Sequence, residues 1–396
     1  MRHIEPKFIH QGISTKFTMI SLAWPVKILF ALLGKCPFTT EKKDGTSGLV
    51  YSYPLVIMAV LSKIGLIGVI IWSLIVYPWP KADSISLQAQ RINIVVWYVA
   101  AGAIAVSGTF SMNKQLKIYQ KIYDISQDTN ENLNDENKKQ KKFEVYAVTG
   151  LLLLYTLGYF GMIVSELWSS GSFLVISYGT VCLEYLIAAI EIYCFQLIIC
   201  KILTQCENGL TSLNVKKVSE LYIAVSNISK EFNDIYWLQV FLLAVGSTIC
   251  VLFDSFEFGR ILISNGKGHL EANGIKVSHT VYIFGFFLIL FMLSSMGTKK
   301  NDQTKNLLLK ARTLVLKSQN AYKEDFDFLI SSTSDLPMNL SAGFFDINYS
   351  FLTTVSINII TFLVILLDFP SEGANETSAT LKTATTALNT LTTNPL

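Results

Sequence analysis

The side chains with chemistry to offer here are four histidines, six cysteines and a few carboxylates set inside apolar runs. His3, His10, His269 and His279 have no Asp or Ser at a spacing that builds a nucleophilic relay, and no Walker loop, GxSxG or HExxH motif occurs. This is not the pattern of an enzyme. Cys36, Cys182, Cys194, Cys200, Cys206 and Cys250 contain no CxxC pair and mostly lie in or beside apolar stretches. They read as small buried hydrophobes rather than zinc ligands or a disulfide framework. No metal and no cofactor is expected.

The carboxylates carry more weight, because an ionisable group within a lipid-spanning helix is costly and turns toward a cavity or a partner. Glu184 and Glu191 are seven residues apart and share one helical face, while Glu166, Asp254 and Glu257 lie near one end of their apolar runs. Each has a structural alternative: a helix end, or a pairing with Lys63 or Arg260. Aromatic residues gather toward that same end, among them Trp72, Tyr77, Trp97, Tyr98, Tyr159, Trp168, Tyr178, Phe256 and Phe258. An interfacial aromatic belt accounts for most of them. The sharper alternative is an open cup with aromatic walls and a few polar groups, suited to a small polar organic ligand. The candidate ligand-binding residues are then Trp97, Tyr98, Tyr159, Glu166, Tyr178, Glu184, Asp254 and Glu257.

The elements that must position these groups are membrane helices. Of 396 residues 51% are hydrophobic and 15% charged, against roughly 25% charged in an ordinary soluble domain. The 32 Lys and Arg stand against 29 Asp and Glu and form no basic stripe, which argues against a nucleic-acid partner. Runs of about 20 apolar residues occur at 55–77, 92–112, 147–167, 173–199, 238–259, 279–297 and 349–369. This predicts an all-α membrane protein with seven transmembrane helices. The shorter run 20–33 carries Lys27 and reads as an interfacial helix, and no signal peptide is evident.

Orientation follows from the positive charges outside the spans. Twenty-five Lys and Arg fall on the N-terminal side and six on the other, so the N-terminus is expected in the cytoplasm and the C-terminus outside. That parity is opposite to a rhodopsin-like receptor, and neither a DRY-like triplet nor an NPxxY is present. The Ser/Thr-rich tail carries a sequon at Asn375 on the expected outer face, where glycosylation is expected; those at Asn227, Asn339 and Asn348 fall on the inner side. Residues 128–142 read as a solvated loop. The segments 200–237 and 299–330 keep helical periodicity, so the fourth, fifth and sixth helices are expected to run past the bilayer and pack together as an anchor. No inverted repeat of the transporter kind is found.

The stretch Ala342-Gly-Phe-Phe-Asp-Ile-Asn-Tyr-Ser-Phe-Leu352, followed by Thr361-Phe-Leu-Val-Ile-Leu-Leu-Asp-Phe369, resembles the C-terminal signature of insect gustatory receptors: a GFFD-type lead-in, then TYhhhhhQF. Leu29-Phe-Ala-Leu-Leu-Gly-Lys-Cys-Pro-Phe38 is similar to that family's opening segment. The resemblance implies a tastant-gated, non-selective cation channel of the plasma membrane, a homo- or heterotetramer with related subunits. It implies a ligand pocket in the outer parts of the helices and a pore lined by the last helix of each subunit. Ile365, Asp368 and Phe369 would stand at the gate, with Thr361 and Phe362 opening the motif. Phe362 replaces the motif's Tyr and Asp368 its Gln; four Asp368 carboxylates around one axis would attract cations. Leu363, where sugar-receptor branches often carry Glu, leans the ligand toward a bitter plant metabolite, with a sugar still open. An odorant-receptor-type channel is the nearest alternative, a G-protein-coupled receptor or transporter a more distant one. The implied organisation is a cytoplasmic N-terminal region with an interfacial helix (1–54), six transmembrane helices around the outer pocket (55–297), cytoplasmic connection and anchor helices (298–348), the pore-lining helix (349–369) and an extracellular tail (370–396).

Overall fold

Long apolar helices dominate the computed structural model, which describes residues 38–43, 46–76, 85–128, 174–211, 214–264, 271–317, 323–336 and 338–368. In chain order they form strands β1 (Phe38–Lys43) and β2 (Thr46–Tyr51), then helices α1 (Tyr53–Val76), α2 (Ile85–Asp128), α3 (Leu174–Gly209), α4 (Val215–Ser264), α5 (Glu271–Lys317), α6 (Lys323–Asp335) and α7 (Tyr349–Asp368). Stretches within α1 to α5 are long and apolar enough to cross a membrane, and Tyr349–Ile365 is a shorter apolar helix. The expected span at 147–167 and the interfacial helix at 20–33 lie outside the described residues.

Two features differ from expectation. The chain before α1 contains an antiparallel hairpin, with Phe38 opposite Tyr51 and Lys43 opposite Thr46; its β-branched and aromatic residues, Phe38, Thr39, Thr40, Val50 and Tyr51, suit a pleated strand. Second, α2 is one continuous helix, so Lys114, Lys117 and Lys121 sit on a helix that runs well beyond 92–112 rather than on a connection. Links one turn apart support that extension: Gln115 Nε2 donates to Ser111 Oγ at 2.9 Å and Gln120 Nε2 to Asp124 Oδ1 at 2.6 Å. The elongation expected of the other helices is observed, since α3, α4 and α5 span 36, 50 and 47 residues.

The helices differ in what surrounds them. A helix apolar on every side belongs in the middle of a bundle, and α3 has 89% of its most apolar stretch buried, against 22% for α1. Around α3 pack α2, α4 and α5, with Tyr185, Phe195, Phe232, Tyr236 and Phe286 fully enclosed. All five described cysteines are buried thiols outside any disulfide among the described residues, as small apolar side chains would be.

Short devices set the helix ends. Pro54 occupies the first turn of α1, where its missing N–H is harmless. Asn214 joins α3 to α4, accepting from Thr211 and donating from Nδ2 to the Gly209 carbonyl at 2.6 Å. The amphipathic α6 has Glu324 and Asp325 in its first turn and buries Phe326 and Leu329. Asn348 caps α7, its Oδ1 accepting the Phe351 N–H at 3.0 Å.

Candidate functional site

Of the eight candidate ligand residues, four have described side chains, and all four are buried. Trp97 on α2 meets Tyr282 edge-on at 5.5 Å between ring centroids and Phe286 at 4.9 Å, both on α5. Phe286 also meets Tyr185 of α3 edge-on at 5.6 Å. One aromatic cluster thus joins three helices, and each such pair adds about 0.5–1.5 kcal/mol beyond area burial. Tyr98 is enclosed beside it in sequence. Tyr185, Tyr282 and Phe286 were not singled out from the sequence, because nothing in an apolar run says which of its aromatics turn inward. Trp72, by contrast, is 44% exposed.

The carboxylates separate into distinct environments. Glu184 forms a buried ion pair with Lys63 of α1 at 2.6 Å, one of the two pairings anticipated for these acids. Asp254 on α4 is buried and accepts a long 3.5 Å bond from Asn93 Nδ2 of α2. Glu191 accepts from Tyr236 of α4 at 2.7 Å and from Tyr119 of α2 at 3.4 Å, binding three helices at one level. Beneath it, Phe195, Phe232 and Tyr236 form a continuous stack with centroid spacings of 4.1 and 4.3 Å. Tyr159 and Glu166 lie outside the described residues; Tyr178 and Glu257 fall on described helices, but their side chains are not described.

Four buried hydroxyls have no hydrogen-bond partner among the described residues: Tyr185 Oη, Ser247 Oγ, Ser294 Oγ and Ser73 Oγ. Tyr185 Oη lies against the backbone of Gly246 on α4, where a methyl would collide with it. Burying a hydroxyl unpaired costs about 1–3 kcal/mol, so each of these groups would gain from a polar atom arriving beside it. No group of three or more His, Cys, Asp or Glu among the described residues has the geometry to hold a metal ion.

The last helix presents the opposite face. Ile357, Ile360, Phe362, Val364 and Ile365 of α7 are exposed, as is Thr361. Asp368 ends the helix; its side chain and all of Phe369 lie outside the described set, as does Asn375. The lead-in motif forms a compact turn just before α7. Gly343 adopts φ 83°, a left-handed conformation that favours glycine, and Trp237 of α4 lies over it. Ile347 N donates to the Leu340 carbonyl at 2.8 Å and Ala342 N to that of Phe345 at 2.9 Å. Phe345 stacks on Phe351 at 5.0 Å.

A bundle of long apolar helices, with polar groups enclosed in its interior and one apolar helix left uncovered, is the architecture of a multi-pass membrane protein. The chain belongs to the 7tm chemosensory receptor family, whose family model matches residues 26–372. Its fold is similar to that of the insect olfactory receptor OR5 from Machilis hrabei in complex with eugenol, with a TM-score of 0.61 and 12% identity over 87% of this chain and 97% of that one. The structure of the same receptor reported without mention of eugenol gives a TM-score of 0.57 and 13% identity over the same shares. No curated protein matches the sequence.

Proposed function

We propose that this receptor is a gustatory receptor: a tetrameric, tastant-gated, non-selective cation channel with its N-terminus in the cytoplasm. The observation that carries the proposal is the contrast between a polar-seeded interior and the uncovered α7. A helix that leaves Ile357, Ile360, Val364 and Ile365 exposed while carrying the Thr361–Phe369 motif is suited to line a pore shared with other copies. Ile365 and Asp368 lie near its end, where a gate would fall. The cluster of Trp97, Tyr185, Tyr282 and Phe286, with the hydroxyls of Tyr185 and Ser247, supplies aromatic faces and hydrogen-bonding groups for a small organic tastant. The related receptor solved with eugenol supports small-molecule binding in this fold. Its olfactory origin also favours an odorant-type channel as the second reading; the C-terminal signature favours the gustatory one.

The test is whole-cell current from cells expressing this protein alone, perfused with sugars and plant alkaloids while G-protein signalling is blocked. A ligand-evoked cation current that survives the block is expected. A response abolished by the block would overturn the channel reading, and a response confined to volatile compounds would favour the odorant type.

A further inference from the structure

Lys300, on α5, is fully buried. Its Nζ donates to Ser229 Oγ of α4 and to the main-chain carbonyl of Asn339, each at 3.0 Å. Among the described residues no carboxylate lies within ion-pair distance. An ammonium is costly to bury, and the Ser229 hydroxyl and the Asn339 carbonyl are its direct hydrogen-bond partners. The same Asn339 carbonyl accepts from Asn233 Nδ2 of α4 at 2.8 Å, and the Asn339 side chain donates to Asp346 Oδ2 at 2.7 Å. One peptide of the turn before α7 is therefore gripped by α4 and α5 together.

The grip extends on both sides. Tyr222 and Ser226 of α4 donate to the Leu336 carbonyl at 2.9 and 3.3 Å. Thr298 Oγ1, two residues before Lys300, accepts the N–H of Tyr349, the first residue of α7, at 2.9 Å. Gly297 lets the chain pass so close that any side chain there would overlap the Ile347 carbonyl. The entry of α7 is thus attached to α5, which contributes Tyr282 and Phe286 to the interior cluster, and to α4, whose Gly246 lies against Tyr185 of that cluster.

We propose that Lys300 is a positioning residue that couples displacements of α4 and α5 to the entry of α7, acting through the Asn339 carbonyl. Its gating role rests on the channel reading; the mechanical attachment does not. A shift or tilt of α5 moves Thr298 and Lys300 with it, and the turn, held from α4 as well, must rotate or release.

The test uses the full chain carrying Lys300→Met, with Ser229→Ala as a milder second variant. Met keeps the side chain's length and removes the charge together with its desolvation cost, while Asn339 keeps its bond from Asn233, so folding is expected to survive. Hydrogen exchange of the purified protein reads the attachment. Protection of the Tyr349, Phe351 and Leu352 amides is expected to fall about tenfold in Lys300→Met, the equivalent of one hydrogen bond to a charged group, with α3 unchanged. Spontaneous current and current evoked by fructose or quinine, divided by surface-labelled receptor, read the coupling. That ratio is expected to change several-fold in Lys300→Met, and in the same direction but less in Ser229→Ala. Wild-type protection at the start of α7 would overturn the attachment. Lost protection with a wild-type current per surface receptor would overturn the coupling and leave a purely structural role. A wild-type chain that reaches the surface and passes no current would remove the channel reading instead, and the exchange result would still decide the attachment.

Discussion

Helices α3 and α7 are built from the same apolar residue types yet stand in opposite surroundings. The one with charged groups, Glu184 and Glu191, is enclosed on all sides. The one without a charge before its last residue leaves much of its length uncovered. In a membrane this inversion has a direct cause. Lipid is as apolar as leucine, so hydrophobicity does not drive a helix inward; polar groups do, because only other helices offer them partners. The lesson is that the interior of one chain is specified by polar contacts, while α7 keeps much of its length clear of the chain's other helices.

The contrast breaks most severely at the Lys63–Glu184 pair. Lys63→Met leaves the Glu184 carboxylate buried without its cation, and a loss of about 3–5 kcal/mol is expected, read by thermal unfolding in detergent and by the fraction reaching the surface. The double change Lys63→Met with Glu184→Gln should recover most of that loss; no recovery would mean that Lys63 acts through packing alone. A smaller loss, about 1.5–3 kcal/mol, is expected for Tyr236→Phe, which removes the 2.7 Å donor to the Glu191 carboxylate. Unchanged thermal stability would show that Glu191 is held by its other contacts.

On α7 the same kinds of change should spare stability and move conduction. Asp368→Asn is expected to lower cation-to-anion permeability, measured from reversal potentials in asymmetric salt, with the melting temperature unchanged. Identical permeability ratios in both proteins would remove Asp368 from the ion path. Phe362→Tyr, at a position 54% exposed, should alter stability by no more than about 0.5 kcal/mol. A larger destabilisation in the detergent-solubilised protein would mean that this face is already covered, and the contrast with α3 would fail there.

Much of the bundle was legible because hydropathy is additive along the chain. The runs beginning at 55, 92, 173, 238, 279 and 349 all became helices, and the periodicity beyond 199 and 297 marked their extensions. The hairpin at Phe38–Tyr51 and the length of α2 were not legible, since the hairpin is short and the far part of α2 is polar enough to pass for a connection. Within the site, the Glu184–Lys63 pairing was one of two anticipated for these acids. The Glu191–Tyr119–Tyr236 junction was not, because tyrosines 45 and 72 positions away carry no mark of sharing a carboxylate. Lys300 gave no signal either. It stands beside Lys299 and counts only as another positive charge for topology, whereas the structure buries it against Ser229 and Asn339.

The sequence by itself determined the class of molecule, the placement of most of its helices, and the motif that closes the last of them, since these depend on residue type and local order. Only the tertiary structure decided which polar group met which. It set Trp97 against Tyr282 and Phe286, left the hydroxyls of Tyr185 and Ser247 without partners among the described residues, and tied the entry of α7 to α4 and α5. Those outcomes depend on how helices rotate and slide against one another, and a helix of uniform hydropathy carries no local preference for one rotation over another. The few buried polar side chains make that choice, and they make it only when the helices are together.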